Sequence, residues 1–367
     1  MVDTRARRIG TLDGAAEADD ASYLDFIEGI RTFSTDRLGP ALAERYQALE
    51  ADFEARTGRK PTSVEEIRAE LKALPILQTH QRLFRSTQDM RAAMLLETYG
   101  KREVELLGEL DAFEGRGPGR LILDPTLKLP DYYTAVYFHN QPGGYFNHPL
   151  AGYIYHYGTK LLFGGKNDDD SLQRGMVNSV PLPADGRVSR VVDLACAAGQ
   201  STTAWKQRLP QADVWGIDIA APMLRYAHKR AVEMDLDITF AQMAAENLTL
   251  PDNSVDIVHC FILFHEVPVD VGVEVLRQVH RVLRPGGLFS VMDVGQAPQW
   301  TPLDAYLREF IMTDNAEPYE RGWAHWDFPG ALREVGFTTG NGPLSEIENF
   351  PGNSSAHHSR WFAYKPG

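Results

Sequence analysis

The chain has 367 residues, 43% of them hydrophobic, with 37 Lys and Arg against 50 Asp and Glu and a net charge of −13. That length allows two domains, or one domain with a large extension, and the acidic balance argues against nucleic acid as a partner. No run of about 18 apolar residues predicts a membrane span, Met1 to Gly14 lacks the apolar core of a secretory signal, and two cysteines, Cys196 and Cys260, suit a reducing cytoplasm.

Residues 1–20, rich in Ala, Asp and Glu without periodicity, read as a disordered tail. Residues 21–180 read as a mainly helical N-terminal extension. Leu24, Ile27, Ile30 and Phe33, then Leu42, Tyr46, Leu49 and Phe53, recur at three- and four-residue spacing. Thr62-Ser63-Val64-Glu65-Glu66 predicts a helix N-terminus. Gln88 to Leu110 predicts another amphipathic helix, broken near Gly100, and Gly115 to Gly119 a linker. Amphipathic helices before Leu110 suit a lid or a homodimer surface. Tyr132 to Tyr157 concentrates tyrosines with His139, His148 and His156 around the turn Gln141-Pro142-Gly143-Gly144. Two readings stand: an aromatic helix–sheet interface, or a substrate pocket with tyrosine walls. In the second, Tyr133, His139, Tyr153 and Tyr157 are substrate-binding candidates. The three histidines lack zinc-site spacing, so no metal is assigned. The loop Gly164 to Asp170 closes this extension.

From residue 181 to 367 apolar strands alternate with helices, as a doubly wound α/β sheet requires. Strands are expected at Val191–Leu194, Val214–Ile217, Ile238–Ala241, Val255–Cys260, Leu288–Val294 and Arg360–Lys365. Helices are expected from Gln200 to about Leu209, and over Pro222–Met234, Glu274–Leu283 and Phe328–Val335. Small residues follow Leu194, and Gln200, Ser201 and Thr202 open a helix whose free N–H groups face a ligand. Asp218 ends the second strand, where an acid accepts hydrogen bonds from a ribose diol. Together these features describe a nucleoside-cofactor site. The insertion Gly295–Trp326 leaves the carboxyl edge of the sheet, so its Trp300 and His325 join Phe264 as candidate pocket residues. His357-His358 reads as a solvated loop.

The pattern Asp193-x-Ala195-x-Ala197-x-Gly199 resembles motif I of the class I S-adenosylmethionine-dependent methyltransferases, with alanine at two of the usual three glycines. Alanine resists positive φ, so a slightly more open loop is expected. Asp252-Asn253-Ser254-Val255-Asp256-Ile257-Val258 and the block Leu276 to Gly287, ending in Arg284-Pro285-Gly286-Gly287, resemble the segments around that family's fourth and fifth strands. The likeness covers about Val188 to Lys365. It implies a Rossmann-like seven-stranded sheet and S-adenosyl-L-methionine as cofactor. Asp193, Ala195 and Gly199 would border its methionine end, Asp218 its ribose and Met223 its adenine. Ala244 stands where relatives often place an adenine-binding acid, leaving Met243, backbone around Ala244, or Gln242 for that contact. Cys260 falls beside the cofactor, with a buried structural role as the alternative. His265 and Glu266 are the candidate catalytic residues, His265 either as a base or only orienting ligand. The reaction implied is methyl transfer to O, or to N or activated C, of a small apolar or aromatic metabolite. A methyltransferase fold performing a non-methyl reaction, a cofactor-binding regulatory module and a NAD-dependent dehydrogenase are the alternatives.

Overall fold

A computed structural model describes residues 12, 17–163, 167–339, 348–349 and 357–367. Five helices open it: α1 (Ala18–Phe33), α2 (Gly39–Thr57), α3 (Val64–Leu71), α4 (Pro75–Gly100) and α5 (Glu103–Phe113). Helix α1 thus begins inside the stretch expected to be a disordered tail; most of that tail lies outside the described residues. The Ser63 hydroxyl caps α3 by accepting from the Glu66 amide, while the Glu66 carboxylate accepts from the Thr62 amide. Helix α4 starts well before Gln88, because Pro75 fits a first helical turn that needs no N–H donor. Leu24 and Ile27 of α1 pack with Leu95 and Tyr99 of α4 in one apolar cluster, so the spacing of these residues is the seam between the two helices.

The extension is not purely helical. After α5 comes β1 (Arg120–Ile122), which pairs in parallel with a strand of the main sheet, and Leu121 and Leu123 pack beside Phe240. Then follow α6 (Asp131–Thr134), α7 (Ala151–Leu162) and α8 (Ser171–Ser179). Residues 164–166 of the expected closing loop lie outside the described residues.

The alternating half runs β2 (Arg190–Leu194), α9 (Gln200–Arg208), β3 (Asp213–Asp218), α10 (Ala221–Glu233), β4 (Ile238–Gln242), β5 (Val255–Phe261), α11 (Val269–Val282) and β6 (Leu283–Val294). It ends with α12 (Pro302–Asp314), α13 (Glu320–His325), α14 (Phe328–Val335), β7 (Thr338–Thr339), β8 (Glu348–Asn349) and β9 (His357–Tyr364). Among the described residues the sheet order is β1-β4-β3-β2-β5-β6-β9-β7, with β8 beside β9. Strands β4-β3-β2-β5-β6-β9-β7 form the doubly wound, Rossmann-like seven-stranded sheet; β1 and β8 are additions at its margins. Val191, Val192, Val258 and Val291 have no exposure, because helices cover both faces of the parallel strands. Strand β9 runs antiparallel to β6 and starts earlier than expected. His358 pairs with Val294 and is buried, so the solvated-loop reading of that histidine does not hold. The outer strand supplies the hydrogen bonds that the end of β6 would otherwise lack.

The chain leaves β2 toward β3 and β4 on one side, and later adds β5 and β6 on the other. That reversal opens a crevice at the carboxyl ends of β2 and β5. The extension closes over it through α7, whose Gly152 lies so close to α10 that a Cβ there would stand 2.3 Å from Tyr226 Cβ. No described helix is long and apolar enough to cross a membrane.

Candidate cofactor and acceptor site

The loop after β2 takes the turn that glycine would take, despite its alanines. Ala195 has φ 56°, Ala197 φ 46° and Gly199 φ 73°, so the more open loop expected from the alanines is not what forms. Left-handed alanine costs on the order of 1–2 kcal/mol each. Asp218 offsets part of that cost, its Oδ2 accepting from the Ala197 amide and its Oδ1 from the Ala220 amide, both at 2.8 Å. At Gly199 a Cβ would lie 3.0 Å from Ala227 Cβ and 3.0 Å from the Phe240 ring, so the start of α9 needs the bare backbone.

Two carboxyls sit at these strand ends. Asp193 is 1% exposed; its Oδ2 accepts from Ser201 Oγ at 2.7 Å and Thr202 Oγ1 at 2.5 Å. Its Oδ1 is buried with no hydrogen-bond partner among the described residues. Burial pushes the Asp193 pKa up to about 7, the two hydroxyls holding it back only in part. Burial likewise raises Asp218 to about 6 against the pull of its amide donors. An ionised carboxylate held dry with a bare oxygen suits a cationic or hydroxylated ligand.

Asp218, Ala195, Met223 and Met243 line one cavity, together with Ala197, Ile219, Ala245 and Glu246. Asp193 and Gly199 support this wall from behind, and Ala244 lies beneath it, 8% exposed. Gln242 is engaged elsewhere, donating to Ile219 O and accepting from the Asp124 amide. Cys260 does not reach the cavity: it has no exposure and belongs to the core under the sheet.

The far end of the cavity is lined by Tyr133 and His139 from the extension and by Phe261, Ile262, Leu263 and Glu266 from the exit of β5. Ile262 has φ 61°, a strained geometry for a β-branched residue. Several residues expected here are elsewhere. Tyr153 and Tyr157 fill the core between the front helices and α10, where Tyr153 lies 4.4 Å from Tyr226 between ring centroids. Phe264 stacks on Trp323, with centroids 5.9 Å apart, and meets Phe328 at a tilt. Trp300 and His325 are not on the cavity wall, and His325 is exposed. Large rings were needed to fill the joints between layers, and those joints took them. In their place Tyr145, Tyr155, Arg91 and Gln141 line the acceptor end.

His265 is held in place by a buried acid. It is buried, and its Nδ1 donates to Asp293 Oδ1 at 2.6 Å. Burial alone would lower its pKa, but the Asp293 charge and hydrogen bond outweigh that and raise it to about 10. Asp293 also accepts from the amides of Leu263, Phe264 and Val294, fixing the turn that carries His265. Glu266 faces the cavity and lies 3.4 Å from His139 Nε2. His139 Nε2 is 2.7 Å from Glu317 Oε1, on the segment between α12 and α13. Burial opposes the charge on His139, yet Glu317 and Glu266 raise its pKa to about 9. His139, Asn140 and Ala316 have φ 55°, 53° and 54°. Three left-handed residues where two distant segments meet mark a junction set by tertiary contacts.

The extension also grips the cofactor loop. Asp170 Oδ1 accepts from Gln200 Nε2 at 2.7 Å, and Oδ2 accepts from the Arg230 guanidinium. Arg230 Nη1 donates to Ala198 O at 2.6 Å. Burial opposes ionisation of Asp170, but Arg230 and His156 hold its carboxyl well below the usual range. Asp170, Arg230, Asp293 and Glu317 have no local sequence motif, and only the folded chain brings them to the site.

Residues 191–287 match a family described as a methyltransferase domain. An uncharacterized methyltransferase of Synechocystis is 29% identical over 154 residues, which make up 41% of this chain and 66% of that protein. A ubiquinone/menaquinone biosynthesis C-methyltransferase of Bdellovibrio bacteriovorus is 37% identical over 107 residues, 29% of this chain and 45% of that protein. The chain thus spans between 45% and 66% of the length of these two relatives. A Haemonchus contortus phosphoethanolamine N-methyltransferase in complex with S-adenosyl-L-methionine aligns at TM-score 0.43 and 14% identity, over 58% of this chain and 57% of that one.

Proposed function

We propose that this chain, whose residues 191–287 match a family described as a methyltransferase domain, is a class I S-adenosylmethionine-dependent methyltransferase that transfers a methyl group to a small aromatic or apolar metabolite. The observation that carries the reading is the pairing of Asp193 and Asp218 across the β2 loop, one with a bare buried oxygen and one lining the cavity. The residues fit the cofactor. Asp193 Oδ1 suits the amino group of the methionine end, and the amides opening α9 suit its carboxylate. Asp218 keeps a lone pair on each oxygen for the ribose hydroxyls. Met223, Ile219 and Met243 make an apolar slot for adenine.

When bound, S-adenosyl-L-methionine supplies a methyl group made electrophilic by its sulfonium. The protein's part is then to hold the acceptor in line and to exclude water. Burial chiefly drives Tyr133, Tyr145 and Tyr155 above the ordinary tyrosine pKa. They act as neutral walls and hydrogen-bond donors. This suits a flat acceptor carrying oxygen, and O-methylation is the preferred outcome; C-methylation is the second reading, favoured by the quinone-pathway C-methyltransferase among the relatives.

Calorimetry tests the cofactor end. S-adenosylmethionine and S-adenosylhomocysteine should bind and NAD should not. Asp218→Ala should weaken the first two roughly 10- to 100-fold, on the order of 1–3 kcal/mol. NAD binding with no binding of the other two would overturn the reading. A screen of metabolite pools with labelled cofactor identifies the acceptor.

A further inference from the structure

The acceptor end of the cavity holds a cluster that methyl transfer does not by itself require. His139, His265, Glu266 and Glu317 each offer one ligand atom, and these atoms all lie within 4.8 Å of one another. They come from three separate places in the chain: the turn before α7, the exit of β5 and the segment after α12. From these positions we infer a divalent-metal site, formed by both imidazoles and both carboxylates at the acceptor end of the cavity.

The spacing supports it. His139 Nε2 to Glu266 Oε1 is 3.4 Å, His265 Nε2 to Glu317 Oε2 is 3.8 Å and His265 Nε2 to Glu266 Oε1 is 3.9 Å. Ligands bound about 2.1 Å from one ion stand roughly 3–4 Å apart. His139 Nε2 and Glu317 Oε1, at 2.7 Å, must separate, and any pair near the 4.8 Å limit must draw in on binding. Glu317 Oε2 is buried with no hydrogen-bond partner among the described residues, in a side chain 4% exposed. An acceptor oxygen buried that deeply needs a cation or a donor.

The surroundings are those of a metal site. His265 is oriented through Nδ1 by the buried Asp293 carboxylate, which turns Nε2 toward the cluster, as carboxylate–histidine–metal triads do. The His139 carbonyl accepts from Arg91 Nη2 at 2.9 Å, fixing the backbone of the second imidazole. Two nitrogen and two carboxylate donors suit zinc, iron(II), cobalt or manganese better than magnesium, which prefers oxygen ligands and keeps its water. His139 and Glu266 line the cavity, so an ion there faces the acceptor. On the methyl-transfer reading, a remaining coordination position would take a hydroxyl or enol oxygen of the acceptor.

The test titrates zinc chloride and manganese chloride into the metal-stripped full chain without cofactor, while S-adenosylmethionine is titrated separately without metal. Failure of one then leaves the other standing. One equivalent of zinc is expected, with cobalt substitution giving visible bands of nitrogen and oxygen ligation. Glu317→Gln and His139→Ala should each weaken zinc at least 100-fold and leave S-adenosylmethionine affinity within twofold. Glu266→Gln, at the cavity face, serves if either variant fails to fold. No saturable zinc, manganese or cobalt binding, or binding unchanged in the variants, would show a hydrogen-bonded ion network instead and overturn the site.

Discussion

The two ends of the cavity are built in opposite ways. The cofactor end is laid down mostly by the chain from Asp193 to Met223, through one loop, one helix start and the tip of the next strand, with Met243, Ala245 and Glu246 added after β4. The acceptor end draws on α4, the turn before α7, the exit of β5 and the segment after α12, so no single stretch carries it. Local backbone geometry decides the first; long-range packing decides the second. Strain follows the same division. At Ala197 positive φ is held by the acid that ends the next strand, whereas at His139 and Ala316 it is held where two distant segments lock together.

The contrast is sharpest where the two meet. Asp170, from the extension, holds Gln200 and Arg230 behind the cofactor loop. Asp170→Ala leaves a buried guanidinium without its carboxylate and should cost about 3–5 kcal/mol in urea unfolding. A loss below about 1 kcal/mol would mean that the loop stands without the extension.

Asp193 gives the next effect, this one local. Its folded pKa of about 7 lies above the roughly 3.9 of an unfolded aspartate. Between those values the folded state holds a proton that the unfolded state has released. Stability of the cofactor-free protein should therefore fall as pH rises from about 4 to about 7, by up to ~1.4 kcal/mol per pH unit. Asp193→Asn should remove that contribution and leave the one from Asp218, raised to about 6; parallel stability–pH curves for the two proteins would reject an uncharged Asp193 in the free site.

The smallest effect tests the loop itself. Ala195→Gly or Ala197→Gly relieves left-handed strain but adds chain entropy to the unfolded state. The net gain should be about 0.5–1 kcal/mol per site in thermal unfolding. Destabilisation by either change would show that the alanine methyl packs usefully and that the turn is less strained than its φ implies.

The strands and helices of the cofactor half were readable because their apolar runs are long and their ends are marked, as at Pro285-Gly286-Gly287 and Gly336. Helix α11 began earlier than its pattern suggested, since Val269 to Val273 belong to the helix although the strong apolar stripe of Val275, Leu276, Val279 and Val282 comes later. Strand β1 was hidden because three residues are too few for a period, and its partner β4 lies far along the chain. The aromatic stretches were correctly seen as rich in rings, but richness does not say which ring meets a ligand. Tyr133 reaches the cavity while Tyr153 and Tyr157 fill a core, because helix α7 turns their face toward α1, α4 and α10.

The central parallel strands, the position of the turn after Leu194 and the acid at Asp218 were set by the amino-acid sequence alone, since each depends on neighbours a few residues away and on backbone chemistry that a short motif can specify. Tertiary structure alone decided that His265 is locked to Asp293, that Asp170 braces the loop, and that His139 meets Glu317. Those contacts join segments more than a hundred residues apart or bury a charge against a partner, and burial, which sets both the pairing and the pKa, exists only once the chain is folded.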